Sequence, residues 1–135
     1  MNAEKEYIVG PVDTPTVNGR IYPRKVVERA ITEYKWALDE HRSIGCLDME
    51  NVGFHATVDL NTASHLVSSM SIVDGNFVAS IVSLDTPKGK LLHELLDAGE
   101  ICFRPVGTGE FIEGTKTLSS YSLISINAYR KKDCE

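Results

Sequence analysis

Long apolar runs are missing from this chain. No stretch approaches the ~18 apolar residues of a membrane-spanning helix, so no membrane span is expected. An excess of positive charge is missing too. The 14 Lys and Arg residues stand against 19 Asp and Glu, a formal net charge of −5. A general nucleic-acid binder carries a basic balance and a basic patch, so no nucleic-acid partner is expected. Cysteine is scarce and odd in number. Cys46, Cys102 and Cys134 are widely spaced, which gives neither a disulfide framework nor the paired spacing of a zinc site. Asp85-Thr86-Pro87-Lys88-Gly89-Lys90 is not a phosphate-binding loop, and no cofactor motif is present. The first residues show no basic segment followed by an apolar run, so no secretion signal is expected. A reducing cytoplasm fits these absences. No repeat, low-complexity tract or linker divides the chain, and residues 1–135 read as one domain.

What is present is a clear alternation of strands and helices. Tyr7-Ile8-Val9 reads as a short strand ended by Gly10-Pro11. Asn18-Gly19-Arg20-Ile21-Tyr22-Pro23 combines a tight-turn pair with a proline suited to the first turn of a helix. From Pro23 to about His41, Val26, Val27, Ala30, Ile31, Tyr34, Ala37 and Leu38 recur at helical spacing, and charged residues fill the other face. Trp36 on that helix is a possible interface anchor, although one aromatic at a helix boundary usually packs. Ser43 to Asp48 reads as a strand, and Asn51 to Asn61 as irregular. Ser64 to Val73 and Asn76 to Leu84 read as two strands joined by an Asp74-Gly75 hairpin. Leu66, Met70 and Ile72 are expected on one face of the first. Thr86 is a helix cap, Pro87 a first-turn residue, and Leu91, Leu92, Leu95 and Leu96 a buried stripe that Gly99 stops. Ile101 to Gly107 follows as a strand, Thr108 to Thr117 as a polar loop, and Tyr121 to Tyr129 as a long closing strand. The whole reads as an α+β domain with about six strands and two helices.

Several of these segments resemble the prohead (capsid maturation) proteases of tailed bacteriophages. The phrase Asn18-Gly19-Arg20-Ile21-Tyr22-Pro23 leads into a helix there too. Gly45, Leu47 and Asp48, the Ser64–Val67 segment, the run Asp85, Thr86, Pro87, Gly89, Lys90, and the skeleton Arg104, Val106, Gly107 follow in the same order. The resemblance covers about residues 6 to 130. It implies an assemblin-like fold: a small, mostly antiparallel β-barrel decorated by helices.

The departures fall where the family keeps its chemistry. Met49 stands where the family has a catalytic histidine, and methionine cannot take a proton from a nucleophile. Cys102 and Phe103 stand at the two serine positions that carry the nucleophile. Pro105 replaces a glycine, and proline has no backbone N–H to offer an oxyanion. The resemblance therefore implies a degenerate member: a phage head structural protein, serving as a decoration, scaffold or assembly component. The major capsid protein, other head proteins or further copies of the chain would be its partners. The virion head, assembled in the host cytoplasm, would be its place.

An active peptidase is the competing reading. Cys102 is a strong intrinsic nucleophile, and His65 or His55 would be its base, with Asp48 a further acidic candidate. A peptidase using an unrecognised serine, among Ser64, Ser68, Ser69, Ser119, Ser120 and Ser122, also remains open. The plainer alternative makes Cys102 a small core residue and His65 a hydrogen-bonded structural one. Asp48, Glu50 and His55 share a short segment but show no metal-ligand spacing, so no metal is expected. Arg104 reads as a barrel residue or an anion binder. A third function class, a binding protein on a similar barrel outside any phage, stays open.

Overall fold

The computed structural model describes residues 4–16, 18–40, 43–48 and 63–131, with Asp48 described for its backbone alone. Six strands and two helices follow one another as β1 (Lys5–Pro11), α1 (Arg24–Asp39), β2 (Ile44–Asp48), β3 (Ala63–Val73), β4 (Asn76–Ser83), α2 (Pro87–Asp97), β5 (Ile101–Phe111) and β6 (Leu118–Arg130).

Helix α1 forms because Val27, Ala30, Tyr34 and Ala37 fall on one face, and all four are buried. Pro23 does not open the helix as the sequence suggests. It is extended and sits at the cap position, where its side chain has no acceptor to offer. The cap comes from Asp13, whose carboxylate accepts the Arg24 N–H at 2.8 Å. Helix α2 is capped locally. Thr86 Oγ1 accepts the Gly89 N–H at 3.0 Å and donates to the Ala63 carbonyl at 2.5 Å, tying the helix start to β3. Gly89 lies so close to the preceding loop that a Cβ there would stand 1.9 Å from the Leu84 carbonyl oxygen.

The sheet order is β1-β4-β3-β2-β6-β5. All its neighbours run antiparallel except β2 and β6, which pair parallel through Leu47↔Ala128 and Asp48↔Tyr129. The β3–β4 hairpin turns at Asp74 and Gly75, both at positive φ (50° and 77°), as a two-residue hairpin turn requires. A register shift between Val67 and Ser69 breaks the alternation of β3. Val67, rather than Leu66, therefore shares the core with Met70 and Ile72.

The ladder of β5 and β6 is longer than the sequence suggests, running out to Phe111↔Leu118. The sequence predicts an end to β5 at Gly107, because residues 108–117 carry no apolar alternation. Main-chain pairing with β6, not burial, holds this exposed ribbon. The loop before α1 clamps it from the side: Ile21 donates to the Lys116 carbonyl and receives the Leu118 N–H, each at 3.0 Å.

Helix α1 lies against β6 and β3, and α2 mainly against β3. Val27 of α1 and Leu92 of α2 join Val67, Ala79, Ile81, Phe103 and Ile126 in one core. The sheet is curled rather than closed. β1 and β5 end the strand order, yet they touch, with Tyr7 and Phe103 ring centroids 4.9 Å apart. The expected small barrel is thus a curled six-stranded half-barrel.

Candidate functional site

The sequence candidates fall around β3, β2 and β5. Gly45 of β2 pairs with His65 of β3. His65 is fully buried, and both its ring nitrogens are engaged. Nε2 lies 2.7 Å from the Ile126 carbonyl oxygen, and Nδ1 lies 2.7 Å from Ser64 Oγ. A carbonyl can only accept, so Nε2 carries the proton. In the neutral ring Nδ1 then accepts the Ser64 hydroxyl proton. Burial lowers the His65 pKa to about 4, with the bond to the Ile126 carbonyl opposing that shift. The ring is neutral at physiological pH.

Gly45 makes this arrangement possible. A Cβ at that position would stand 2.2 Å from His65 Nε2 and 2.2 Å from the Ile126 oxygen. The histidine thus reaches across β2 to bond the main chain of β6. Phe103 closes the other side, edge-on to the imidazole with centroids 5.3 Å apart. Phe103 is 3% exposed. One of the two positions where the resemblance expects a serine therefore holds a core aromatic ring, seated on a histidine with no spare nitrogen.

Cys102 is partly buried and follows a different path. Neighbouring strand residues face opposite sides, so it does not share the Phe103 contact with His65. Its sulfur lies 3.7 Å from the Tyr129 carbonyl and 3.8 Å from that of Arg130. It is disulfide-bonded, although the cysteine spacing predicts no disulfide framework. Met49, Glu50 and His55 lie outside the described residues, as does the side chain of Asp48. Among the described residues, no three His, Cys, Asp or Glu side chains come together as a metal site.

The positions that carried the resemblance have structural work. Asn18 Oδ1 bonds Thr16 Oγ1 at 2.5 Å, and the Arg20 N–H meets both of these oxygens. Gly19 is at φ +83°. Tyr22 meets Tyr121 edge-on at 5.4 Å. Gly107 leaves room for Tyr121, since a Cβ there would lie 2.8 Å from the Tyr121 ring and 2.3 Å from the Ser122 oxygen. Burial raises the Tyr121 pKa strongly, helped by Tyr22, while Arg20 opposes it. Pro87 and Lys90 stand in the first turn of α2, and Asp85 precedes its cap. Arg104 does not form an ion pair among the described residues, and its guanidinium lies over the Tyr129 ring at 5.6 Å.

Sequence reasoning missed three features. Ser64 is a partner of His65, Asn127 is fully buried with Oδ1 receiving the Cys46 N–H at 3.3 Å and the Ser125 hydroxyl at 3.1 Å, and β1 and β5 enclose a cavity. That cavity has a volume of about 770 Å³ and is floored by Phe77 and Phe103. A polar residue inside an apolar strand, as Asn127 is between Ile126 and Ala128, is the one signal the sequence offered.

No protein-family model matches this sequence, and no curated protein matches it. Among solved structures, the capsid assembly protease gp21 of bacteriophage T4 is similar, with a TM-score of 0.75 at 20% identity, over 95% of this chain and 81% of that one. The curled half-barrel with its two helices is therefore the fold of a phage capsid assembly protease.

Proposed function

We propose that this chain is a head-assembly protein of a tailed bacteriophage, built on the maturation-protease fold and without its peptidase chemistry. The fold shared with the T4 capsid assembly protease supports the phage-head setting. The observation that carries the loss of chemistry is the seat of Phe103. A buried phenyl ring offers no nucleophile, and the histidine beneath it spends one nitrogen on a main-chain carbonyl and the other on a buried serine. A nucleophilic serine needs a base with a free nitrogen within hydrogen-bond reach. Pro105, on the same strand, removes one N–H that an oxyanion would use. The chain then acts by binding, with the major capsid protein or other head proteins as its partners.

The test is quantitative mass spectrometry of purified mature particles. Full-length chain at a fixed, high ratio to the major capsid protein supports the structural reading. Self-cleaved fragments, together with labelling of the purified chain by a fluorophosphonate, would overturn it.

A further inference from the structure

Two turns distant in the chain meet beside the start of β6, and each brings a cation. In the first, the Thr16 N–H bonds the Arg20 carbonyl at 2.8 Å, and the Gly19 N–H bonds the Thr16 carbonyl at 2.9 Å. In the second, between β5 and β6, the Ile112 N–H bonds the Thr117 carbonyl at 2.8 Å, and the Thr115 N–H bonds the Ile112 carbonyl at 3.0 Å. The clamp at Ile21 sews the two turns together, so Arg20 and Lys116 line one recess of about 290 Å³. Asn18, Phe111 and Thr115 complete the lining, and no acidic side chain joins them.

Both cations keep donors to spare. The Arg20 guanidinium lies over the Phe111 ring, a wall of this recess, 5.9 Å from its centroid. Stacking orients the planar group and leaves its N–H edge open. Lys116 Nζ donates to the Asn18 carbonyl at 3.3 Å, which uses one of its three N–H groups. Its stem is seated on Gly19, where a Cβ would stand 3.4 Å from Cδ and from Nζ. The Thr115 hydroxyl is spent, donating to the Ile112 carbonyl at 2.8 Å and accepting the Thr117 N–H at 3.1 Å. Neither cation forms an ion pair among the described residues, and Glu110 and Glu113 of the same ribbon pair with neither. The fold thus holds two positive charges at one small recess, in a chain whose net charge is −5. Like charges held together repel, and an anion between them turns that cost into attraction.

We infer that this recess binds a phosphate monoester dianion, free or carried on a partner. Two cations from two turns match a dianion. A tetrahedral group presents separate oxygens to the planar fork and to the ammonium, whereas a carboxylate has two oxygens and the fork alone fills them. A nucleic-acid backbone spreads one charge over each phosphate and is held by a row of cations; this recess has two. The inference concerns this recess alone and does not rest on the place of the chain in a phage head.

Titration of the isotope-labelled intact chain, followed by its amide chemical shifts at constant ionic strength, tests it. Inorganic phosphate, phenyl phosphate, dimethyl phosphate and acetate are the probes. Inorganic phosphate and phenyl phosphate are expected to shift the Gly19, Arg20, Lys116 and Thr117 amides saturably, with Kd on the order of 1 mM. Dimethyl phosphate and acetate are expected to bind about tenfold more weakly, the scale of one charge-assisted contact. Tighter binding of phenyl phosphate than of inorganic phosphate assigns the site to a phosphoryl group on a partner, and the reverse order assigns it to the free ion. Arg20→Gln and Lys116→Gln are each expected to weaken phosphate about tenfold, and Lys35→Gln, on the exposed face of α1, to leave it unchanged. The amide dispersion of each variant shows that it is folded. Shifts that do not saturate or that spread over the whole chain, equal binding of acetate or dimethyl phosphate, or phosphate binding unaltered in Arg20→Gln and Lys116→Gln would each overturn the inference.

Discussion

His65 Nε2 lies 2.7 Å from the carbonyl oxygen of Ile126, and only the missing side chain of Gly45 lets the two meet. The contact joins β3 to β6 across the whole width of β2. It also fixes the tautomer of the ring, and so decides that the adjacent Ser64 hydroxyl is a donor to the histidine.

Gly45→Ala tests that geometry. The new methyl would overlap both the imidazole and the Ile126 carbonyl, so the bond breaks and buried polar atoms lose their partner. Overpacking and lost hydrogen bonding together are expected to cost on the order of 3 kcal/mol. Urea unfolding of the variant against the parent chain measures it. An unchanged midpoint would show that the histidine bond is not structural.

The pH dependence follows from the same ring. The folded pKa of His65 is about 4, below the ordinary histidine value of 6.5. The unfolded chain therefore binds the proton more readily between these values, and stability rises with pH across that window. The contribution is fully present above pH 6.5 and is lost as pH falls through 6.5 towards 4. It amounts to roughly 3 kcal/mol when fully developed. His65→Gln is expected to flatten the slope of unfolding free energy over this range, and an unaltered slope would exclude the histidine as its source.

Phe103→Ser restores a hydroxyl at one of the two positions where the resemblance expects a serine. We expect a loss of about 3–5 kcal/mol from removing a core ring and no gain of fluorophosphonate labelling. The reason is that His65 has no free nitrogen to act as base. Labelling of the folded variant would show that the base can be released, and the structural reading would fall.

Helix propensity and packing predict opposite signs at Gly89. Alanine is better than glycine in a helix by roughly 1 kcal/mol, yet a Cβ would stand 1.9 Å from the Leu84 oxygen. Gly89→Ala is therefore expected to destabilise, and by more than Thr86→Val, which loses the α2 cap and its bond to Ala63 for about 1–2 kcal/mol. Thermal unfolding of the two variants ranks them.

The sequence made the elements legible wherever burial writes a period. The stripes of α1 and α2 and the Asp74-Gly75 turn were plain, and each lies within a residue or two of its expected place. Features that depend on contacts distant in sequence were not. Asp13 caps a helix eleven residues away, the shift in β3 moves Val67 into the face expected for Leu66, and the polar ribbon beyond Gly107 is held by its partner strand alone. The site was half legible. His65 and Phe103 were visible as unusual residues at meaningful positions, but their contact, and the two nitrogens spent on Ser64 and Ile126, arise only once β2, β3, β5 and β6 lie side by side. The cavity between β1 and β5 has no sequence signature at all, because it is made by two strands failing to join.

The parallel pairing of β2 with β6 bears on how the chain reaches this state. β6 follows every other strand in the chain, yet it lies between β2 and β5 in the sheet. Until it arrives, β2 has an open edge and β5 has no strand to pair with. The β3–β4 hairpin can form early from local contacts, but completing the sheet requires closing a loop of some eighty residues. Such long-range closure slows folding and leaves strand edges exposed meanwhile. A growing chain that has not yet delivered β6 is thus the species most prone to pair with its neighbours, and the one a chaperone would be expected to hold.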